Sequence, residues 1–483
     1  MTDLPDATAM ASAVRGGEVS PAELLEQAIA RADAVDAKIN AVIHRRDDAA
    51  RKEADAERDP AGSRSHEGRM FPGVPFLAKD LGCQMEGEPH HQGCAALRQV
   101  DARAPHDDFL YQRFREAGLI TFGRTNTPEF GATITTEPVA FGPCRNPYDL
   151  DRSTGGSSGG AAAAVAAGIV PMAHASDGGG SIRIPASMCG LIGLKPSRGR
   201  VSFGPDLGEA WAGAAIHGVV SRSVRDTAGA LDAISEPFPG DPYIAPPPAR
   251  PFTAEVGADP GRLRVGLCAE TSWGHVDPEC VAAVEATGRI LESLGHHVET
   301  DRPADLDDDE FRERFYDVVS AASARSAELM AELLGRPVEP ADVEPDNWFT
   351  IERGRTFSAT DYLANLTWMH GFTRRVVAWW ADGFDILVTP TVAEPPPLIG
   401  ELRHPDSGRK RLLDLLKFTS QFNVTGQPAV SLPLHRTPDG LPVGVQLVGP
   451  QCDEAVLIRL ASQLEAAGAW DLPRPQIWAP DLI

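Results

Sequence analysis

The spacing of apolar and polar positions changes period several times along the chain. Over 24–42 apolar residues recur at helical spacing. Ser20-Pro21-Ala22-Glu23 just before them supplies a capping serine, a proline suited to the first helical position and a glutamate that can close a capping box. The spacing predicts a helix there, and the charged stretch 45–65 reads as exposed. The short apolar run 74–78 predicts a strand. Residues 107–117 read as helix, stopped by Gly118, and 119–123 as strand. Residues 161–167 predict a helix ended by Gly168. The run 169–175 then predicts a strand that passes into Asp177-Gly178-Gly179-Gly180-Ser181. Further strands are predicted at 263–269, 385–391, 428–434 and 443–449, and helices at 278–294 and 453–467, the last closed by Gly468. Strands alternating with helices indicate an α/β layered fold with a mostly parallel sheet. Residues 236–252 hold prolines at 237, 239, 242, 246, 247, 248 and 251 and predict a linker over the surface. The acidic run Asp307-Asp308-Asp309-Glu310 is read as a helix cap rather than a metal site.

Composition narrows the class. The 483 residues are 42% hydrophobic and 23% charged, which is globular and not disordered. The 45 basic against 68 acidic residues give a net charge of −23. That excess argues against nucleic acid and an anionic membrane surface as partners. The seven cysteines (83, 94, 144, 189, 268, 280, 452) are scattered, in no CxxC pair, as suits a reducing compartment. The start, MTDLPDATAM, does not read as a signal peptide, and no run approaches a membrane span, so the cytoplasm is expected.

Three segments carry candidate chemistry. Ser153-Thr154-Gly155-Gly156-Ser157-Ser158-Gly159-Gly160 lacks the GK[ST] of a phosphate loop. It matches GxSxG twice, centred on Ser157 or Ser158, but 146–151 before it reads as turn where a nucleophile elbow needs a strand. A third role is a backbone turn that fixes a serine hydroxyl; a flexible loop before a helix is the bland alternative. The second segment, 176–185 (SDGGGSIRIP), begins at the carboxyl end of a predicted strand, where ligands of open α/β sheets sit. Its three glycines let successive N–H groups converge on an oxyanion, and Ser181 follows directly. The third is Lys79, at the end of an apolar strand, where burial disfavours the ammonium form and makes the amine a usable base. Taken alone, a lysine here is better read as pairing with Asp80 or snorkelling to solvent. His174 and His217 are read as core or hydrogen-bonded residues, and His90-His91 and His296-His297 lack zinc-site spacing. Cys189 reads as a buried apolar residue rather than a nucleophile. Neither a metal nor a cofactor is expected.

PFLAKD (75–80), GRTNTPEFG (123–131), GGSSGG (155–160), the run 176–202 and GLPVGVQLVG (440–449), in that order, resemble the amidase signature family over nearly the whole chain. The resemblance implies one domain over 1–483. Its parts would be a helical region 1–65, a core 66–235 carrying the motifs, and a second half 236–483 with the variable pocket. It also implies a three-layer α/β/α sandwich around a large mixed sheet and a Ser–Ser–Lys triad. Carried over by motif, Ser181 is the nucleophile, Ser157 the bridging serine after a cis Gly156–Ser157 peptide, and Lys79 the base. Gly178, Gly179, Gly180 and the Ser181 N–H would form the oxyanion hole, with Asp177, Ser158 and Arg183 holding the loops.

Within the family, 135–160, 212–235 and 422–433 look most like the 6-aminohexanoate cyclic-dimer hydrolases, the nylon-oligomer amidases. Thr154 stands where the usual pattern has proline. The expected substrate is a small, largely uncharged amide, linear or cyclic, with esters and carbamates as side substrates. Phe130, Phe203 and Trp211, with the 340–420 region around Trp348 and Trp368, are candidates for the pocket. Alternatives are a glutamine amidotransferase A-type subunit for aminoacyl-tRNA, an α/β-hydrolase-like serine esterase and a non-catalytic binding protein. A monomer or homodimer is expected.

Overall fold

The computed structural model describes residues 4–57, 68–470 and 473–482. The charged stretch expected to be exposed lies partly outside them, at 58–65; its earlier part forms a strand and the helix Asp47–Ala56. The first long helix, Pro21–Ile39, starts as its sequence requires. Ser20 Oγ accepts from the Glu23 N–H at 3.2 Å, and the Glu23 carboxylate accepts from the Ser20 N–H at 2.8 Å.

Among the described residues thirteen strands run in chain order. They are β1 Val42–Arg45, β2 Pro75–Lys79, β3 Ile120–Thr125, β4 Arg145–Asn146, β5 Asp149–Ser153, β6 Met172–Asp177, β7 Ile192–Lys195, β8 Ile216–Ser221, β9 Arg264–Leu267, β10 His297–Thr300, β11 Ile386–Pro390, β12 Ala429–Arg436 and β13 Pro442–Val448. Eight of them form one sheet in the order β10-β9-β11-β13-β12-β7-β8-β6. The sheet is mixed, as expected, but its parallel pairs are confined to one end, β10-β9-β11. The other five pairings are antiparallel. This corrects the mostly parallel expectation. The runs 428–434 and 443–449 are close neighbours in sequence, and a short turn at Asp439-Gly440 folds them back as a hairpin. Strand β8, unmarked in the apolar pattern, inserts antiparallel between β6 and β7.

Side-chain alternation places helices on both faces. In β11, Ile386 and Val388 are buried with helices Pro278–Ser293 and Glu454–Ala466, whereas Leu387 is buried with Phe311–Leu334 and Ala359–Ala381. At the other end Ala173, Ala175 and Val220 pack under helices Pro21–Ile39 and Gly159–Ala166. Each buried Val, Leu or Ile is worth about 1.5–3 kcal/mol. A one-residue slip would send every such side chain to the wrong layer. The result is the expected three-layer α/β/α sandwich.

A second sheet, β1-β3-β2, stands beside the β6 edge, with β2 running along β6. The 236–252 stretch crosses the surface without strand or α-helix and is pinned by Phe238 stacked on Phe109, ring centroids 3.9 Å apart. The acidic run 307–310 precedes helix Phe311–Leu334 but does not cap it: Asp307, Asp308 and Glu310 pair with Arg302, Arg375 and Arg314, each at 2.8 Å. No helix among the described residues is long and apolar enough to cross a membrane.

Candidate active site

The site lies at the seam between the two sheets, where β2 ends in Lys79 and β6 ends in Asp177. Lys79 is fully buried, and its Nζ donates to Ser157 Oγ at 2.7 Å and to Ser176 Oγ at 3.0 Å. Burial holds the Lys79 ammonium down to about 7, against the opposing pull of the Asp177 carboxylate. An amine so placed is available as a base near neutral pH.

Ser157 follows a cis Gly156–Ser157 peptide, just before the helix Gly159–Ala166. The loop threads a space with no room for side chains. A Cβ at Gly156 would meet the Thr135 backbone N at 2.7 Å, and one at Gly159 the Thr136 and Thr154 hydroxyls at 2.3 Å. Thr127 Oγ1 donates to the Ser157 carbonyl at 3.0 Å and Thr136 Oγ1 to the Gly155 carbonyl at 2.9 Å. Ser158 Oγ accepts from the Ser176 N–H and donates to the Ser176 carbonyl, both at 3.3 Å, which ties the loop to β6. A strand, β5, occupies part of the stretch read as turn before this loop, yet no histidine among the described residues hydrogen-bonds to Ser157 or Ser181.

The glycine turn after β6 is shaped from behind. Asp177 is buried and clamped by Arg183, whose Nε and Nη2 each donate to it at 2.9 Å. Burial penalises the Asp177 carboxylate, but Arg183 outweighs that and holds it well below the usual range. Arg183 is held in turn by the Thr419 carbonyl, Gln446 Oε1 and Asn423 Oδ1. The Gly180 N–H donates to Asp177 Oδ1 at 2.7 Å. It is therefore turned away from the expected cradle, because the carboxylate is the stronger acceptor. The N–H groups of Gly178, Gly179 and Ser181 bond to no group among the described residues. Thr419 Oγ1 donates to the Gly179 carbonyl at 2.6 Å and fixes that peptide plane.

The three pocket candidates part company. Trp211 lies against the cradle: a Cβ at Gly178 would sit 2.8 Å from its indole. Trp211 and Ala212 both have left-handed φ, +55° and +53°. Phe130 sits on the Ser157 side, in the turn Glu129–Gly131, and packs with Leu97, Trp348 and Ile351. Phe203 packs on His217, ring centroids 4.6 Å apart, and against the cluster that holds Phe76 and Phe114. Trp368 packs on Phe311 and Phe372. Phe315, Thr419, Asn423 and Gln446 were not foreseen. Asn423 and Gln446 lie in the runs 422–433 and 440–449, and Thr419 in the 340–420 region, but nothing in the sequence pattern marks Phe315. Among the described residues no three metal-ligating side chains cluster.

The family model "Amidase" matches residues 23–458. A 6-aminohexanoate-cyclic-dimer hydrolase of Paenarthrobacter ureafaciens is 42% identical, covering 98% of this chain and 97% of the relative. The structure of a 6-aminohexanoate cyclic dimer hydrolase complexed with substrate superposes with a TM-score of 0.92 at 42% identity, over 99% of this chain and 100% of the other. A bacterial aryl acylamidase belonging to the amidase signature enzymes superposes with a TM-score of 0.87 at 27% identity, over 97% of both chains. The chain belongs to the amidase signature family and is an amidohydrolase that acts on carbon–nitrogen bonds other than peptide bonds.

Proposed function

We propose that this protein hydrolyses small, largely uncharged amides, linear or cyclic, through an acyl-enzyme on Ser181, with esters and carbamates as side substrates. Neutral Lys79 accepts the Ser157 hydroxyl proton as Ser157 accepts that of Ser181. Ser181 Oγ attacks the amide carbon, and the carbonyl electron pair moves to an oxyanion that the N–H groups of Gly178, Gly179 and Ser181 receive. On collapse the C–N bond breaks. Ser157 delivers its proton to the departing nitrogen and regains one from Lys79. Water then attacks the ester through the same relay, releasing the carboxylic acid and restoring Ser181. Asp177, Arg183 and Ser158 hold the loops in register.

The observation that carries this mechanism is the 2.7 Å Lys79–Ser157 contact in a buried site. Cyclic amides are favoured by the likeness to the 6-aminohexanoate-cyclic-dimer hydrolases. An apolar acyl portion is favoured by the aromatic wall beside the cradle. Phe315 stands 3.4 Å from where a Gly179 Cβ would lie, and meets Trp211 edge to face with ring centroids 6.4 Å apart.

The test is a panel of lactams, linear amides, esters and carbamates run on wild type and Ser181→Ala. Wild type is expected to release amine and to be labelled covalently by a sulfonyl fluoride. Ser181→Ala should lose kcat by about 10⁴-fold or more and lose the label. Undiminished turnover or labelling in the variant overturns the assignment.

A further inference from the structure

We propose that His174 and His217 are positioning residues for Lys79, a neutral imidazole pair that holds the lysine backbone in the seam between the two sheets; this rests on Lys79 serving as the base. The seam has no backbone ladder, since β2 and β6 belong to different sheets. The Lys79 N–H, on the β6 side of β2, therefore meets a side chain: it donates to His174 Nδ1 at 3.2 Å. The Lys79 carbonyl is also taken by a side chain, accepting from Arg124 Nη1 at 3.1 Å. His174 and Ser176 lie two residues apart on β6 and share a face. One receives the Lys79 backbone and the other its Nζ. In the β6–β8 register His217 stands directly opposite Ser176.

The bonds set the tautomers. Nδ1 of His174 accepts only when it carries no proton, so the His174 proton is on Nε2. That nitrogen is 3.2 Å from His217 Nδ1, which must then accept, leaving the His217 proton on its own Nε2. Protonating His174 would set two N–H donors face to face at Lys79. The surroundings enforce neutrality. The neighbours include Lys79 from β2, Arg124 from β3 and the rings of Phe114 and Phe203, and no carboxylate among the described residues hydrogen-bonds to either imidazole. Burial, with His217, Lys79 and Arg124 adding to it, pushes His174 well below 6.5. Burial with Lys79 takes His217 to about 3.

The experiment measures kcat, KM and the pH profile for His174→Leu, His174→Asn and His217→Leu. His174→Leu removes the acceptor. Its kcat should fall roughly ten- to hundred-fold while KM stays within about two-fold, as for a misplaced reacting group. The pH midpoint should move above 7, because a displaced Nζ admits water. His174→Asn places an oxygen where Nδ1 stood and should restore kcat to within about three-fold of wild type. His217→Leu frees His174 to change tautomer, and should shift the midpoint the same way. A His174→Leu enzyme with wild-type kcat and midpoint overturns the proposal, as do equal losses in the Leu and Asn variants with an unmoved midpoint. If His174→Leu does not fold, an unmoved midpoint in His217→Leu overturns it alone. Lys79→Ala, assayed alongside, separates this from the base assignment: full activity there refutes the base, whereas a dead Lys79→Ala beside an unaffected His174→Leu refutes only the positioning pair.

Discussion

The proposed mechanism concentrates the chemistry of the site into one ionisation, that of Lys79. In it the active form is the free amine, and burial brings the ammonium down to about 7. The neutral fraction grows as pH rises through that value, so kcat/KM should climb about tenfold per unit below pH 7 and level off above about 8. A flat profile from pH 5.5 to 8.5 contradicts lysine as the base. Lys79→Ala should lower kcat by about 10²–10⁴-fold, and Lys79→Arg should not rescue it, because a guanidinium keeps its charge when buried. The sequence placed this lysine at an apolar strand end, which is enough to predict a lowered pKa. That its partner is Ser157 rather than Asp80 is a fact of three dimensions. Asp80 accepts instead from the backbone N–H groups of His91 and Gly93.

At the scale of elements, the helix Gly159–Ala166 shows a local preference overruled by its neighbours. Alanine normally stabilises a helix relative to glycine. At position 159 its Cβ would strike two threonine hydroxyls at 2.3 Å. Gly159→Ala should therefore lower stability by about 1–3 kcal/mol in urea unfolding and reduce kcat, since the helix start carries Ser157 and Ser158. A variant as stable and active as wild type would show that the 134–136 segment yields freely. The predicted strands and helices were legible where apolar runs were dense and punctuated by glycine or proline. The helices Phe311–Leu334, Pro345–Arg355 and Ala359–Ala381 were not, because charged and polar residues interrupt their apolar stripes. Strand β7 was not legible because Gly190, Gly193, Lys195 and Pro196 break its apolar run into pieces.

The whole molecule sets a second buried lysine behind the cradle. Lys195 is buried, and desolvation, reinforced by Arg183, lowers it to about 7 against the pull of Asp177. Between pH 7 and 10.5 the unfolded chain keeps this proton while the folded chain does not. Stability from this group therefore rises with pH across that window, and its cost is fully present below 7. Lys195→Met should flatten the stability–pH slope between pH 7 and 9 by about 1.4 kcal/mol per pH unit. It should also be more stable than wild type at pH 7, by a margin that shrinks toward pH 9. Urea unfolding at pH 7, 8 and 9 reads both effects, and an unchanged slope would mean the folded lysine stays charged.

What the sequence determined by itself was whatever short-range chemistry dictates. The capping box at Ser20, the glycine turn after β6, the short apolar runs of β11 to β13 and the serine-bearing loops all depend on residues close in the chain. The tertiary structure decided what depends on distant segments meeting. It made the hairpin and β8 antiparallel, clamped Asp177 and Arg183 with Asn423 and Gln446, and set Trp211 and Phe315 beside the cradle while placing Phe203 on His217. It also closed the Lys79–His174–His217 line across two sheets. The physical reason is that hydrogen-bond partners, packing and desolvation belong to the folded arrangement, where residues about 100 positions apart share one buried environment.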